Sequence, residues 1–160
     1  MKTLIVYYSR TGTTKKAAEA IAKTLKAGIE EIVDMKKRSG WQNYLSSGRD
    51  ALRKKLTEIR PIKNNPKNYD MIILGTPIWA GRMAPAVRTY ISQNKKAFKR
   101  VAFFCTMGGS GDKSAFKDMQ ESAGKKPEAT LTLMTKEVAN NDFSEKLGRF
   151  RSQILAKGKN

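Results

Sequence analysis

The 160-residue chain has no histidine and a single cysteine, Cys105. The first absence removes the commonest general base and metal ligand. The second excludes an internal disulfide and leaves no metal-ligand spacing. Chemistry here therefore needs a cofactor, and no metal site is expected. Long apolar runs are missing too. Nothing approaches the roughly 20 residues that span a bilayer, and Met1-Lys2 leads straight into a strand-like segment without a signal-peptide pattern. A soluble, cytoplasmic protein with no membrane partner is expected. Acidic residues are scarce, 14 against 32 Lys and Arg, which leaves a net charge of +18. The bases are dispersed as Lys15-Lys16, Lys36-Lys37-Arg38, Arg53-Lys54-Lys55, Lys95-Lys96 and Lys125-Lys126. That pattern describes a solvated, self-repelling surface and acidic partners. It comes without a reader helix, zinc module or aromatic RNP-like strand, so no specific nucleic acid is expected.

What the chain does have is alternation. Strand-like segments at Thr3 to Tyr8, Ile29 to Asp34, Met71 to Gly75, Val101 to Cys105 and Thr130 to Met134 are separated by helical patterns. This reads as an α/β sandwich around a parallel sheet. Helix faces are marked by Ala17, Ile21 and Leu25; by Leu52, Leu56 and Ile59; by Ala84, Val87 and Ile91; by Phe116, Met119 and Ala123; and by Phe143, Leu147, Phe150 and Ile154. These stripes are core. The length fits one domain over residues 1–160, with Lys157 to Asn160 expected to fray.

The first strand ends in Ser9-Arg10-Thr11-Gly12-Thr13-Thr14 and runs into the first helix. Such a turn gathers backbone N–H groups, hydroxyls and the positive end of a helix dipole around one point, which suits a phosphate. It is also how an ordinary Ser- or Thr-capped helix begins. There is no G-x-G-x-x-G and no G-x-x-x-x-G-K-[ST] here, so a dinucleotide or triphosphate fingerprint is absent. In a doubly wound sheet the loops after strands one, three and four converge at the carboxyl ends of the strands. The third strand is followed by Thr76-Pro77-Ile78-Trp79-Ala80-Gly81-Arg82, with an aromatic where a surface loop is normally polar. The fourth is followed by Thr106-Met107-Gly108-Gly109-Ser110-Gly111-Asp112, whose glycines let backbone approach a ligand. A phosphate cradle, an aromatic plate and a backbone-rich loop describe a flat ring with a monophosphate tail.

These three loops, in this order, resemble the flavin mononucleotide (FMN) site of the flavodoxin family, and the likeness covers nearly the whole chain. The resemblance implies a flavodoxin-like three-layer α/β sandwich, with a five-stranded parallel sheet of order 2-1-3-4-5 and helices on both faces. It implies FMN as cofactor. Ser9, Thr11, Thr13 and Thr14 would hold the phosphate through hydroxyls, and Arg10 and Gly12 through backbone. Thr76, Pro77, Ile78, Trp79, Ala80 and Gly81 would form the second flavin loop, with Trp79 against the ring and a peptide at Ala80-Gly81 able to reorient. Thr106, Met107, Gly108, Gly109 and Ser110 would meet the pyrimidine edge. Trp41 and Tyr44 could pack on the dimethylbenzene side or seat the second helix. Cys105 reads as a small buried hydrophobe.

Two features depart from the family's electron carriers: the chain is basic where they are acidic around the flavin, and it has Met107 where they often place a tyrosine. Arg10 and Arg82 lie within the flavin loops. No side chain looks like an acid or base catalyst. The expected role is an electron carrier, moving one or two electrons between redox partners, with an acidic ferredoxin-like donor or acceptor and a monomeric or weakly dimeric state. The alternative is an FMN-dependent NAD(P)H:quinone or acceptor oxidoreductase.

Overall fold

The computed structural model describes residues 1–36 and 41–157, with the side chains of residues 41–44 and 52 outside that description. In chain order the elements are β1 (Thr3–Tyr7), α1 (Thr13–Leu25), β2 (Gly28–Glu31), α2 (Trp41–Leu52), β3 (Met71–Trp79), β4 (Arg82–Met83), α3 (Pro85–Asn94), β5 (Arg100–Met107), α4 (Asp112–Ala123), β6 (Thr130–Met134), α5 (Thr135–Ala139) and α6 (Ser144–Lys157). The sheet order is β2-β1-β3-β5-β6, parallel at every step along that path, and β4 pairs antiparallel with the end of β3. With the two-residue β4 set aside, this is the expected 2-1-3-4-5 order. The chain lays β2 on one side of β1 and β3 on the other, so a switch point opens between β1 and β3 at their carboxyl ends.

Period two in the strands builds both halves of the core. Leu4, Val6, Ile72, Leu74, Val101 and Phe103 face one layer, where Ala51 of α2, Val87, Tyr90 and Ile91 of α3 and Met119 of α4 pack on them. Ile5, Tyr7, Met71, Ile73, Ala102 and Phe104 face the other, covered by Ala17, Ala18 and Ile21 of α1, Val138 of α5 and Leu147, Phe150 and Ile154 of α6. Register aligns the strand ends: Tyr7 pairs with Gly75, Pro77 with Thr106, and Met107 with Met134. Gly75 is required by that packing, since a Cβ there would lie 2.0 Å from the Phe104 ring. Among the described residues no helix is long and apolar enough to cross a membrane.

Five segments differ from the sequence reading, one of them β5, which runs past Cys105 through Thr106 and Met107 because they pair with β6. The second helix ends at Leu52, not beyond Ile59. Lys54 adopts φ 53°, its N–H bonds the Ala51 carbonyl and the Lys55 N–H bonds the Asp50 carbonyl, which is the Schellman closure of a helix. Leu56 is consequently 60% exposed, and Ile59 forms an antiparallel bridge to Asp34. That bridge also removes Asp34 from β2, which stops at Glu31. β3 continues four residues past Gly75 to Trp79, because its end pairs with both β4 and β5. Finally, α5 precedes the last helix, which starts at Ser144 with the Phe143 carbonyl accepting the Leu147 N–H at 3.0 Å. The expected fraying of 158–160 lies outside the described residues.

Candidate functional site

The turn after β1 is held from within. Gly12 caps α1 at φ 94°, its N–H donates to Ser9 Oγ at 3.1 Å, and its carbonyl accepts the Lys16 N–H at 2.9 Å. The N–H groups of Thr13, Thr14 and Lys15 have no acceptor inside the helix, and no acidic residue occupies the first turn. The helix end therefore presents partial positive charge. Thr14 is buried, with Oγ1 2.8 Å from Thr106 Oγ1, and this bond ties the first loop to β5.

The expected second loop is a β-hairpin. Trp79 pairs with Arg82, and the two residues between them, Ala80 and Gly81, have φ 49° and 69°. Positive φ at both central positions is the type I′ geometry that matches strand twist. Thr76 Oγ1 accepts the Ala84 N–H at 2.9 Å and donates to the Pro77 carbonyl at 2.8 Å, which fixes the hairpin's return into α3. The third loop presses on the hairpin tip. Gly111 caps α4 at φ 112°, and a Cβ on it would sit 2.7 Å from Gly81 Cα and 3.1 Å from Ile78 Cγ2.

Two adjoining cavities open at this convergence. One of about 250 Å³ is lined by Arg10, Thr11, Thr13 and Thr14, by Pro77, Ile78 and Trp79, by Thr106, Met107 and Gly108, and by Thr135 at the start of α5. The other, of about 460 Å³, is lined by Arg10, Ile78, Trp79 and Ala80 with Leu45, Ser47, Gly48 and Arg49 of α2. Arg10, Ile78 and Trp79 form the wall they share. Trp79 is only 9% exposed. Tyr8 meets it edge-on at 5.6 Å, and the Arg10 guanidinium lies over its ring at 5.4 Å from the centroid.

Of the residues singled out in sequence, Arg10, Thr11, Thr13, Thr14, Pro77, Ile78, Trp79, Ala80, Thr106, Met107 and Gly108 line these cavities. Ser9, Gly12 and Thr76 shape the loops through the bonds above, and Gly81 supplies the hairpin tip. Gly109 and Ser110 are exposed and, with Arg82, lie outside the lining of both cavities. Trp79 is not a loop residue but the last residue of a strand, packed in the core layer as well as on the cavities. Thr135 and the α2 residues were missed. A five-residue helix carries no readable periodicity, and the stripe at Leu52, Leu56 and Ile59 points to a helix farther along the chain than α2. The side chains of Trp41 and Tyr44 lie outside the described residues. Cys105 is fully buried, with Sγ 3.9 Å from Thr132 Oγ1. Burial pushes its thiol up to about 12, over a smaller opposing pull from that hydroxyl. Among the described residues no group of three or more His, Cys, Asp or Glu could hold a metal.

The family model for flavodoxin matches residues 2–149. Among solved structures, a flavoprotein from Lactobacillus acidophilus in complex with FMN is 31% identical, covers 87% of this chain and 97% of its own, and superposes with a TM-score of 0.73. A Fusobacterium nucleatum flavodoxin bound to flavin mononucleotide is 14% identical over 98% of this chain and 99% of its own, TM-score 0.61. An NADH:FMN oxidoreductase in its apo form is 12% identical over 98% and 90%, TM-score 0.60. The last two speak to the fold alone. No curated protein matches the chain. Helix N-terminus, hairpin and glycine-rich loop meet at the switch point of a 2-1-3-4-5 sheet, and the family model spans nearly the entire length: the chain belongs to the flavodoxin family.

Proposed function

We propose that this chain binds one FMN across the two cavities and works as an electron carrier. The observation that carries the reading is the pairing of a hydroxyl-lined cavity at the start of α1 with a larger one walled by Trp79, Ile78, Ala80 and Leu45. The donor set fits FMN. Thr11, Thr13 and the first N–H groups of α1 suit a phosphate, with Arg10 adding a full positive charge. Trp79 and Ile78 suit a flat aromatic ring. A Cβ on Gly108, which lines the smaller cavity, would meet nothing within 4 Å, so that stretch of loop backbone is open. The lining contains no carboxylate, thiol or phenol among the described residues, and the sequence has no histidine. The side chains therefore bind and orient, and FMN when bound supplies the redox chemistry. Thr14 and Thr106 hold the phosphate loop against β5, and Arg10 bridges phosphate and ring cavities.

The +18 charge supports an acidic redox protein as partner, with electron-transfer rates that fall as salt screens the attraction. A second reading, an FMN-dependent NAD(P)H:acceptor oxidoreductase, is favoured by Met107. This half-buried, flexible side chain lines the smaller cavity where a ring-covering tyrosine is common among family carriers. The purified holoprotein mixed with NADH or NADPH and a quinone separates the two. The carrier shows no steady oxidation of the nicotinamide; sustained turnover establishes the enzyme.

A further inference from the structure

Apart from the cavities, one group of charges is buried among three helices. Arg88 of α3 and Asp118 of α4 are 8% and 2% exposed. The guanidinium forks onto the carboxylate, Nη1 donating to Oδ1 at 3.1 Å and Nη2 to Oδ2. Nη1 also reaches Ser122 Oγ at 3.3 Å, and Lys54 Nζ, from the residue that closes α2, lies 3.5 Å from Asp118 Oδ1. Among the described residues the buried Arg88 Nε has no hydrogen-bond partner.

Such a cluster is a poor device for stability alone, because desolvation of two buried charges offsets most of their attraction and apolar residues of similar volume often do as well. The orphaned Nε worsens that balance. What an ion pair offers and apolar packing does not is fixed geometry: a planar two-point fork sets both the distance and the angle between the helices that carry it. The three helices carry the hairpin, the glycine-rich loop and one wall of the larger cavity. α3 leaves the β3–β4 hairpin, α4 leaves the glycine-rich loop, and α2 contributes Leu45, Gly48 and Arg49 to the larger cavity. At about 1.5 Å of rise per residue, Arg88 sits roughly 4.5 Å along α3 from Pro85 and Asp118 roughly 9 Å along α4 from Asp112. Above them the two loops touch backbone to backbone at Gly81 and Gly111.

We propose that Arg88, Asp118 and Lys54 form an ionic clasp of positioning residues that holds α2, α3 and α4 at the spacing the flavin ring requires. The clasp rests on the FMN reading for its purpose, and its geometry is testable without the cofactor. Asp118→Asn and Arg88→Lys are compared with wild type and with Leu147→Ala in the opposite core layer, at a temperature where every variant is folded. Two quantities are read: FMN affinity by quenching of flavin fluorescence, and amide exchange in the apoprotein over residues 77–84 and 106–112. Asp118→Asn weakens FMN binding and accelerates exchange in both segments at least tenfold. Arg88→Lys, which keeps the charge and loses the fork, falls between. Leu147→Ala lowers the melting temperature and leaves both readings within twofold of wild type. Should Asp118→Asn not fold, Lys54→Met, which alters the half-exposed arm of the cluster, carries the test with an expected threefold change in both readings. Readings within twofold of wild type for the folded clasp variant, or an equal change in Leu147→Ala, overturn the clasp. A wild type that binds no FMN overturns the proposed function, and the exchange data then decide the clasp by themselves.

Discussion

Gly111→Ala tests whether the site is set by the meeting of hairpin and glycine-rich loop. Two penalties act at that position. A non-glycine residue at φ 112° lies far from the L-residue minima, a strain on the order of 1–3 kcal/mol. The new methyl would stand 2.7 Å from Gly81 Cα, which is backbone and cannot rotate away, and overpacking of that kind costs a further 1–3 kcal/mol, roughly. The sum is about 2–6 kcal/mol. With a urea m-value of about 2 kcal/mol/M, the unfolding midpoint falls by roughly 1–3 M. Part of the strain is relieved by pushing the hairpin tip outward, so FMN affinity falls too. Gly109→Ala is the matched control, because a Cβ there meets nothing within 4 Å, and its midpoint moves by less than about 0.5 kcal/mol equivalent. Urea melts and FMN titrations of both variants check this. Equal midpoints for the two would refute the idea that the Gly81–Gly111 contact fixes the loops.

Trp79→Ala weakens FMN binding by about 1–3 kcal/mol and, because Trp79 is also a core residue, destabilises the apoprotein by about 3–5 kcal/mol; an unchanged FMN affinity in the folded variant assigns Trp79 to packing alone. Arg10→Gln, in the wall shared by both cavities, lowers the second one-electron potential of bound FMN: two unit charges ~8 Å apart at an effective dielectric of ~50 interact by about 0.8 kcal/mol, or roughly 35 mV, and redox titration in low salt reads it. The Cys105 thiol has a native value pushed up to about 12 from an ordinary 9.0. The unfolded chain therefore loses that proton first as pH rises, and stability present below pH 9 is lost progressively toward pH 12. Cys105→Ala flattens that alkaline decline in melts at several pH values, and native Cys105 resists iodoacetamide at pH 8.

Much of this structure is legible in local pattern. The five long strands announce themselves through runs such as Leu4-Ile5-Val6-Tyr7, and β6 occupies the expected Thr130–Met134. The first loop is legible as a strand–helix junction, with its hydroxyls reading equally as a phosphate cradle or a helix cap. Elements closed by unusual backbone are not. Leu52, Leu56 and Ile59 keep helical spacing, yet the helix stops because Lys54 takes a left-handed conformation that no glycine advertises. The hairpin hides in the same way: Ala80 supplies the first positive φ of a turn usually built from Asn-Gly or Gly-Gly. The clasp is invisible in sequence, since Lys54, Arg88 and Asp118 are far apart in the chain and only the stacking of three helices joins them. The place of Thr135 likewise depends on register, through the pairing of Met107 with Met134.

FMN binding is tested by titrating the unfolded-and-refolded, flavin-free protein with FMN, followed by flavin fluorescence and visible absorbance. The protein saturates at one FMN per chain, perturbs the flavin spectrum and releases intact FMN on denaturation; no quenching and no spectral change at excess FMN mean that the cavities do not hold FMN.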